Sequence, residues 1–337
     1  PDCDLLNPQP NGECLVWQDL GFGSSRVTTF YDPRMLEGWG VRGYNWEFSG
    51  GVQHEIIPRL SASVGYFRRI YGNFNLQDNE ALSASDFTQY SVVAPTDARL
   101  ELTGQTIGGI YDQNRAVTNR NVIKPASDFG DVKSHWNGVD FSIDTRLRNG
   151  ILLQGGISTG KTMNDFCDVI DDVPEVLSST VAPTGVLLAG ISAPAAAWTP
   201  AGFCHQETPF LTQYKAVGSF TVPYGIRISG TFQNVPGPVI AANNIYTAVP
   251  ASLGRPFFAG QTTVNIVEPG TMYGDRLNQV DLRFSKLFNV GTGRLDLNVD
   301  LYNAFNADAI LTQQNAYGAT WQNALTVIQP RFVKFSA

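Results

Sequence analysis

Residues 275–306, DRLNQVDLRFSKLFNVGTGRLDLNVDLYNAFN, constrain the fold more than any other stretch. Val280, Leu282 and Phe284 alternate with Asp281, Arg283 and Ser285. After Gly291-Thr292-Gly293, Leu295, Leu297, Val299 and Leu301 alternate with Asp296, Asn298, Asp300 and Tyr302. Successive side chains leave a β-strand on opposite sides, so a period of two means strand, and two such runs across a glycine-rich turn make a hairpin. One wall of this hairpin is aliphatic and the other is charged. That fits a half-buried sheet in water, or a barrel wall with lipid outside and water inside.

The same period recurs along the chain. Strands are expected over 44–55 and 60–71 around the turn Ile56-Ile57-Pro58-Arg59, and over 135–148 and 151–159 around Asn149-Gly150, a strong short hairpin signal. Further strands are expected over 208–222 and 226–234 around Pro223-Tyr224-Gly225, and a last one from about 327 to 337. Residues 1–43 read as a cysteine-clamped loop region. The links at 73–134, 160–206, 235–274 and 307–323 are long and rich in turn residues, with short strands expected near 90–93 and 107–111. Short and long connections therefore alternate, as the short periplasmic turns and long external loops of outer-membrane barrels do. Each long run can supply the roughly 9–11 residues that a tilted strand needs to cross a bilayer. With the short turns on the periplasmic side, the count is nine strands starting from outside. Barrels of this kind have even counts, so the pattern predicts the C-terminal part of a larger barrel whose earlier strands lie outside this stretch.

Composition excludes several classes. The net charge is −7, so no basic surface invites nucleic acid or an anionic membrane surface by phosphate neutralisation. Only 16% of residues are charged, which is low for a soluble protein. No apolar run reaches the roughly 20 residues of a spanning helix; the nearest, 186–198, is broken by Gly190, Ser192 and Pro194. Any membrane crossing must be by strands. The four cysteines form two local pairs, Cys3 with Cys14 and Cys167 with Cys204, outside the alternating runs; this reads as two loop disulfides in an exported protein.

The runs Asp281-Leu-Arg283-Phe-Ser-Lys286 and Leu295-Asp-Leu-Asn-Val-Asp300-Leu-Tyr302-Asn303-Ala-Phe305-Asn306 resemble the closing strands of TonB-dependent outer-membrane receptors. So do Tyr44-Asn-Trp46-Glu-Phe48, Gly51-Val-Gln-His54-Glu55, Tyr66-Phe67-Arg68-Arg69 and Gly270-Thr-Met-Tyr273-Gly-Asp-Arg276. The likeness is greatest to the Oar-like receptors that carry a carboxypeptidase-regulatory-like domain. The resemblance implies an all-β fold, an antiparallel transmembrane β-barrel of about 22 strands with a plug, in which residues 44–337 are the C-terminal strands. It also implies an outer-membrane location with the loops extracellular. The expected partners are outer-membrane lipid, the remaining strands and plug, and a TonB complex that powers uptake of a scarce siderophore, glycan or peptide. No nucleic acid and no cofactor are expected. In this reading Asp140, Asp144, Arg146, Asp281, Arg283, Asp296 and Asp300 face the lumen. Val139, Phe141, Ile143, Val280, Leu282, Phe284, Leu295, Leu297, Val299 and Leu301 face lipid.

Other motifs compete for attention. Gly155-Gly-Ile-Ser-Thr-Gly160-Lys161-Thr162 matches the phosphate-binding loop pattern, but that loop needs a buried parallel strand before it and a helix after it. Gly156-Ile157-Ser158-Thr159-Gly160 matches the nucleophile elbow of hydrolases, whose triad would need one of the three histidines, His54, His135 or His205. Both lie in the second arm of a hairpin, the wrong scaffold for either chemistry. His54 and His135 read as rim residues. Asp165, Asp168, Asp171 and Asp172 cluster near Glu175 and could take calcium, although EF-hand spacing is absent; a solvated acidic loop is the plainer reading. Trp46, Tyr66, Tyr71, Trp136, Phe220, Tyr224, Phe288 and Tyr302 lie near strand ends, where interfacial aromatic girdles sit. The alternative to a receptor is an exported β-rich binding protein that uses its long loops; the hydrolase reading rests on Ser158.

Overall fold

The chain folds around one antiparallel meander whose strands follow one another in sequence order. The computed structural model describes residues 2–337 except 5, 8, 10, 15–19, 21–23, 25, 26, 28, 148, 149 and 179–196. The nine strands are β1 (Tyr44–Ile57), β2 (Leu60–Gly72), β3 (Lys133–Arg146), β4 (Ile151–Asp165), β5 (Leu211–Val222), β6 (Ile226–Val235), β7 (Leu277–Val290), β8 (Gly293–Tyr302) and β9 (Phe332–Ser336). A tenth short strand, His205–Glu207, pairs with the end of β4. Because every neighbour is antiparallel, the tight turns gather at one end of the sheet and the long connections at the other. The β7–β8 turn is Gly291-Thr292, with Gly291 at φ +59°, a conformation that costs glycine nothing. Asn149 of the expected Asn-Gly turn lies outside the described residues, but the ladder from Arg146↔Leu152 onward pairs its two arms.

Several boundaries differ from those expected. β4 runs to Asp165 rather than ending at 159, so the glycine-rich 155–162 segment is strand throughout. Glycine weakens a strand, but here both edges of β4 are hydrogen-bonded, to β3 and to β5, and that pairing outweighs the cost. β3 spans 133–146 instead of 135–148, and β5 begins at Leu211. The last strand begins at Phe332. Ala324–Val327 pairs instead with Ile310–Gln313, so the fourth connection runs through 331, and Pro330, which has no N–H for a ladder, separates the two strands. Within residues 1–43 there are also a short strand, Thr29–Tyr31, and a one-turn helix, Pro33–Leu36.

The apolar core is not in the sheet. Among the described residues, every buried apolar side chain lies in the long connections, and the buried side chains of the nine strands are polar: Ser134, Thr145, Asn164, Ser285 and Asp300. One cluster joins Tyr90, Leu100, Ile107 and Ile110 of the first long connection to Ile240, Leu253, Phe257 and Ile266 of the third and Trp321 of the fourth. A second joins Leu76 and Ala126 of the first to Phe166, Val169, Val173 and Val176 of the second. Trp198 packs against both. The chain exposes 19275 Å², against roughly 13,500 Å² for a compact soluble monomer of its mass. Among the described residues no second layer covers the sheet.

Candidate functional site

Register decides which side chains share a face, because residues paired across a ladder point the same way. On one face, Val52, Val64, Phe141, Ile157 and Tyr214 form a continuous row across β1 to β5. Phe220, Ile228, Phe284, Val299 and Phe335 form another across β5 to β9. These apolar side chains are open: Phe284 is 43% exposed and Val299 37%. Across the same strands, Ser285 is 4% exposed and Asp300 3%. The polarity is the reverse of that of a half-buried sheet in water.

On the other face a polar row crosses the sheet. Gln53, Ser63, Ser142, Gly156, Lys215, Gln233 and Gln279 lie in one row over seven strands. Neighbours in it bond to one another: the hydroxyls of Ser63 and Ser142 are 2.6 Å apart, and Gln233 Nε2 donates to Gln279 Oε1 at 2.8 Å. Gln279 Nε2 donates to Asp281 at 3.0 Å, and Asp281 also accepts the Asn303 N–H at 2.8 Å. Further along, Arg283 Nη2 donates to Asp300 Oδ2 at 3.0 Å and Ser285 Oγ to Asn298 Oδ1 at 2.5 Å. A groove of about 570 Å³ runs over this face, lined by Asp144, Gln154, Lys215, Gln233, Gln279 and Asp281 among others. Such a surface offers amides, hydroxyls and paired charges to a polar occupant.

The ladders bring all seven of Asp140, Asp144, Arg146, Asp281, Arg283, Asp296 and Asp300 onto the polar face. Val139, Phe141, Ile143, Val280, Leu282, Phe284, Leu295, Leu297, Val299 and Leu301 all lie on the apolar one. The aromatic girdle divides between the faces. Trp46, Tyr66, Phe220 and Phe288 stand on the apolar face, but Tyr71, Trp136 and Tyr302 stand on the polar one. Trp136 lies down over Gly138 and Gly160, where no Cβ has room, so those glycines serve as its floor. Tyr302 stacks on Phe332 at 4.6 Å.

The remaining motifs are accounted for by the sheet. Ser158 Oγ donates to Asp140 Oδ1 at 2.6 Å from mid-strand, with no turn beneath it, and the nearest histidine in the ladder, His135, is opposite Met163, five residues along β4. Lys161 Nζ is bonded to Glu207 Oε1 at 2.6 Å. His54 pairs with Ala62 on the apolar face near the short-turn end. Asp165 accepts from the Cys167 N–H at 3.1 Å and lies 3.0 Å from His205 Nδ1. Among the described residues no three His, Cys, Asp or Glu side chains converge in the way a metal ion needs, so Asp165, Asp168, Asp171 and Asp172 are not brought together. Cys3 is bonded to Cys14 and Cys167 to Cys204.

Sequence reasoning missed the fastening of the long connections. Arg255 of the third donates to Asp112 Oδ2 at 2.5 Å, to the carbonyls of Asp112 and Gln113 at 3.1 and 3.0 Å, and to Asn114 Oδ1 at 2.7 Å, all in the first. Burial raises the Asp112 carboxyl above its ordinary value, opposed by the Phe258 N–H and by Arg255. No local pattern marks such a pair, since its partners are more than 140 residues apart.

Fold and faces together define an all-β chain built on an antiparallel meander with an exposed aliphatic wall and a polar wall. No family model matches it, and no curated protein sequence matches it. Among solved structures it is similar to the outer membrane transporter YddB from Escherichia coli, at 14% identity and a TM-score of 0.44, over 92% of this chain and 34% of that one. The chain thus spans about a third of that transporter's length.

Proposed function

We propose that this chain forms part of the wall of a closed outer-membrane barrel, and that the complete barrel imports a scarce ligand in the manner of TonB-dependent receptors. One observation carries the reading: a nine-stranded sheet that buries no apolar side chain among the described residues and turns its aliphatic rows outward. In water an exposed apolar patch of more than a few hundred Å² is a liability; in a bilayer it is the solvated surface. The polar row from Gln53 to Gln279 then faces a lumen, where the plug and the passing ligand meet amides and hydroxyls. β1 is exposed along all fourteen of its residues and, among the described residues, pairs on one edge only, so in this reading further strands add there and at β9 to close the barrel. The siderophore, glycan or peptide class of the ligand and the supply of energy through a TonB complex belong to the same proposal.

Fractionation tests it. The protein is expected to sediment with outer membranes, to resist extraction by urea or alkaline carbonate, and to dissolve only in detergent. Recovery in the soluble fraction without detergent would overturn the membrane reading. It would favour the alternative, an exported binding protein. Ligand uptake that collapses when a protonophore dissipates the inner-membrane gradient is expected for the energised mechanism; uptake indifferent to it points to a passive pore.

A further inference from the structure

Near the long-connection end of β2 to β4 the polar face carries aromatic rings among glycines. Trp136 shares a ladder row with Glu47 and Arg69. The next row down the wall holds Phe67, Gly138 and Gly160, and the one below it Gly65, Asp140 and Ser158. Glycine leaves a strand's backbone open to close approach by another group. Here aromatic rings make that approach: Trp136 lies over Gly138 and Gly160, and Phe67 over Gly65, and a Cβ at any of the three would displace the ring. Both rings are half-buried and belong to neither buried cluster of the long connections, so each keeps surface turned away from the sheet. Among the described residues the Trp136 indole N–H has no partner, and it is not buried. We propose that this aromatic shelf binds an oligosaccharide of neutral sugars passing through the barrel, an inference that rests on the membrane reading above and narrows its ligand class.

A pyranose ring has a face of C–H groups and a rim of hydroxyls. The C–H groups carry slight positive charge and suit the negative face of an aromatic ring. The hydroxyls need donors and acceptors at the borders of the shelf, and both borders supply them. On one side Arg69 Nε donates to Glu47 Oε2 at 2.9 Å, leaving the pair's outer atoms for a ligand. On the other, Asp140 takes the Ser158 hydroxyl on Oδ1 at 2.6 Å and keeps Oδ2 for a second donor. The two borders lie four residues apart along the strands, roughly 13 Å, which is wider than one sugar ring and suits a chain of several. Charge argues against an anionic chelate, because the ionised groups of these three rows are two carboxylates and one guanidinium, Glu47, Asp140 and Arg69. A peptide docking through its backbone would need a free strand edge, and both edges of β3 and β4 are paired here. The other aromatic pair of the polar face, Tyr302 and Phe332, stack on each other and offer no such shelf.

The test uses the full chain inserted in phosphatidylcholine vesicles, with tritiated cellohexaose, maltohexaose and mannohexaose as probes in equilibrium dialysis. At least one is expected to bind with a Kd below about 1 mM. W136A should weaken that binding at least tenfold and W136F about twofold, since phenylalanine restores a ring. D140N should weaken it about fivefold by removing the charged acceptor. W46F, on the apolar face, should leave it unchanged. W136F and D140N keep the shape of the wall, so they read the site even where W136A fails to insert. Failure of all three sugars to bind at about 10 mM would overturn the proposal, as would binding indifferent to W136A, W136F and D140N. So would displacement of the sugar by an equal concentration of ferric tris-catecholate, which would mark a site for an anionic chelate. Flotation of the protein with the vesicles after a carbonate wash reports insertion independently. Its absence would bring down the membrane reading and this shelf with it, whereas insertion without sugar binding would remove only this inference.

Discussion

Glu175 carries its carboxyl among apolar neighbours: Val173, Val176 and Leu177 around it are each 1% exposed. Its visible partner across the connections is the Asn79 N–H, 3.3 Å from Oε1. Burial, with the charge of Asp78 adding to it, pushes the carboxyl up to about 7 from 4.5. The native state therefore holds a proton that the unfolded chain has released between these two values. The resulting stability is complete below the lower value and is lost as pH rises through the upper one. E175Q should make this part of the molecule insensitive to pH over that range and more stable at about pH 9, on the order of 2 kcal/mol after allowing for residual solvation. Thermal melting followed by near-ultraviolet circular dichroism at about pH 5 and about pH 9 reads both effects. Equal pH dependence in wild type and variant would show that the carboxyl titrates as in solvent.

The strands carry the reversed polarity. Arginine in place of Phe284 would sit in the middle of a row running from Phe220 to Phe335. In a bilayer that substitution should cost about 2–4 kcal/mol, whereas arginine in place of Gln279 on the polar face should be nearly neutral. Denaturant titration of the protein folded into vesicles measures both, and a soluble sheet would tolerate F284R without loss because that side chain is already open to water. This two-sidedness was legible from alternation alone: the period of two fixes which residues share a face, and hydrogen-bonded ladders preserve it from strand to strand. The extent of strands was less legible. The strand expected to end at 159 continues to Asp165, because pairing with β3 on one edge and with His205–Glu207 on the other carries β4 past Gly160. Val327 continued an apolar pattern that Pro330 interrupts, so the segment joined Ile310 instead of β8. Trp136 and Tyr302 looked like interfacial aromatics by position, but they share the alternation of Asp140 and Asp300, and the ladders place them over the polar face.

At the scale of the molecule, the long connections form a joint structure and not four separate loops. Their alliances were illegible in sequence because they rest on contacts such as Tyr90 with Phe257, whose rings are 5.6 Å apart across 167 residues of chain, and no periodicity records a partner that distant. Trp321 of the fourth connection is the most telling member. It is 2% exposed, donates its indole N–H to the Ala241 carbonyl of the third at 2.8 Å, and lies under the Arg99 guanidinium of the first at 4.8 Å. Removing that ring leaves a cavity that three connections share, which should cost roughly 3–5 kcal/mol. Among the described residues no side chain of the nine strands belongs to that core, so W321A is expected to loosen the first, third and fourth connections together while the nine strands stay folded. Limited proteolysis of the membrane-inserted variant should then release cleavages within 73–132, 236–276 and 303–331 at the same protease concentration. The second connection should hold longer, because its own cluster is built on Val169 and Val173 and closed by the Cys167–Cys204 bond. Cleavage confined to 303–331 would mean that each connection keeps its structure alone, and the shared core would then be incidental to how the long-loop end is held.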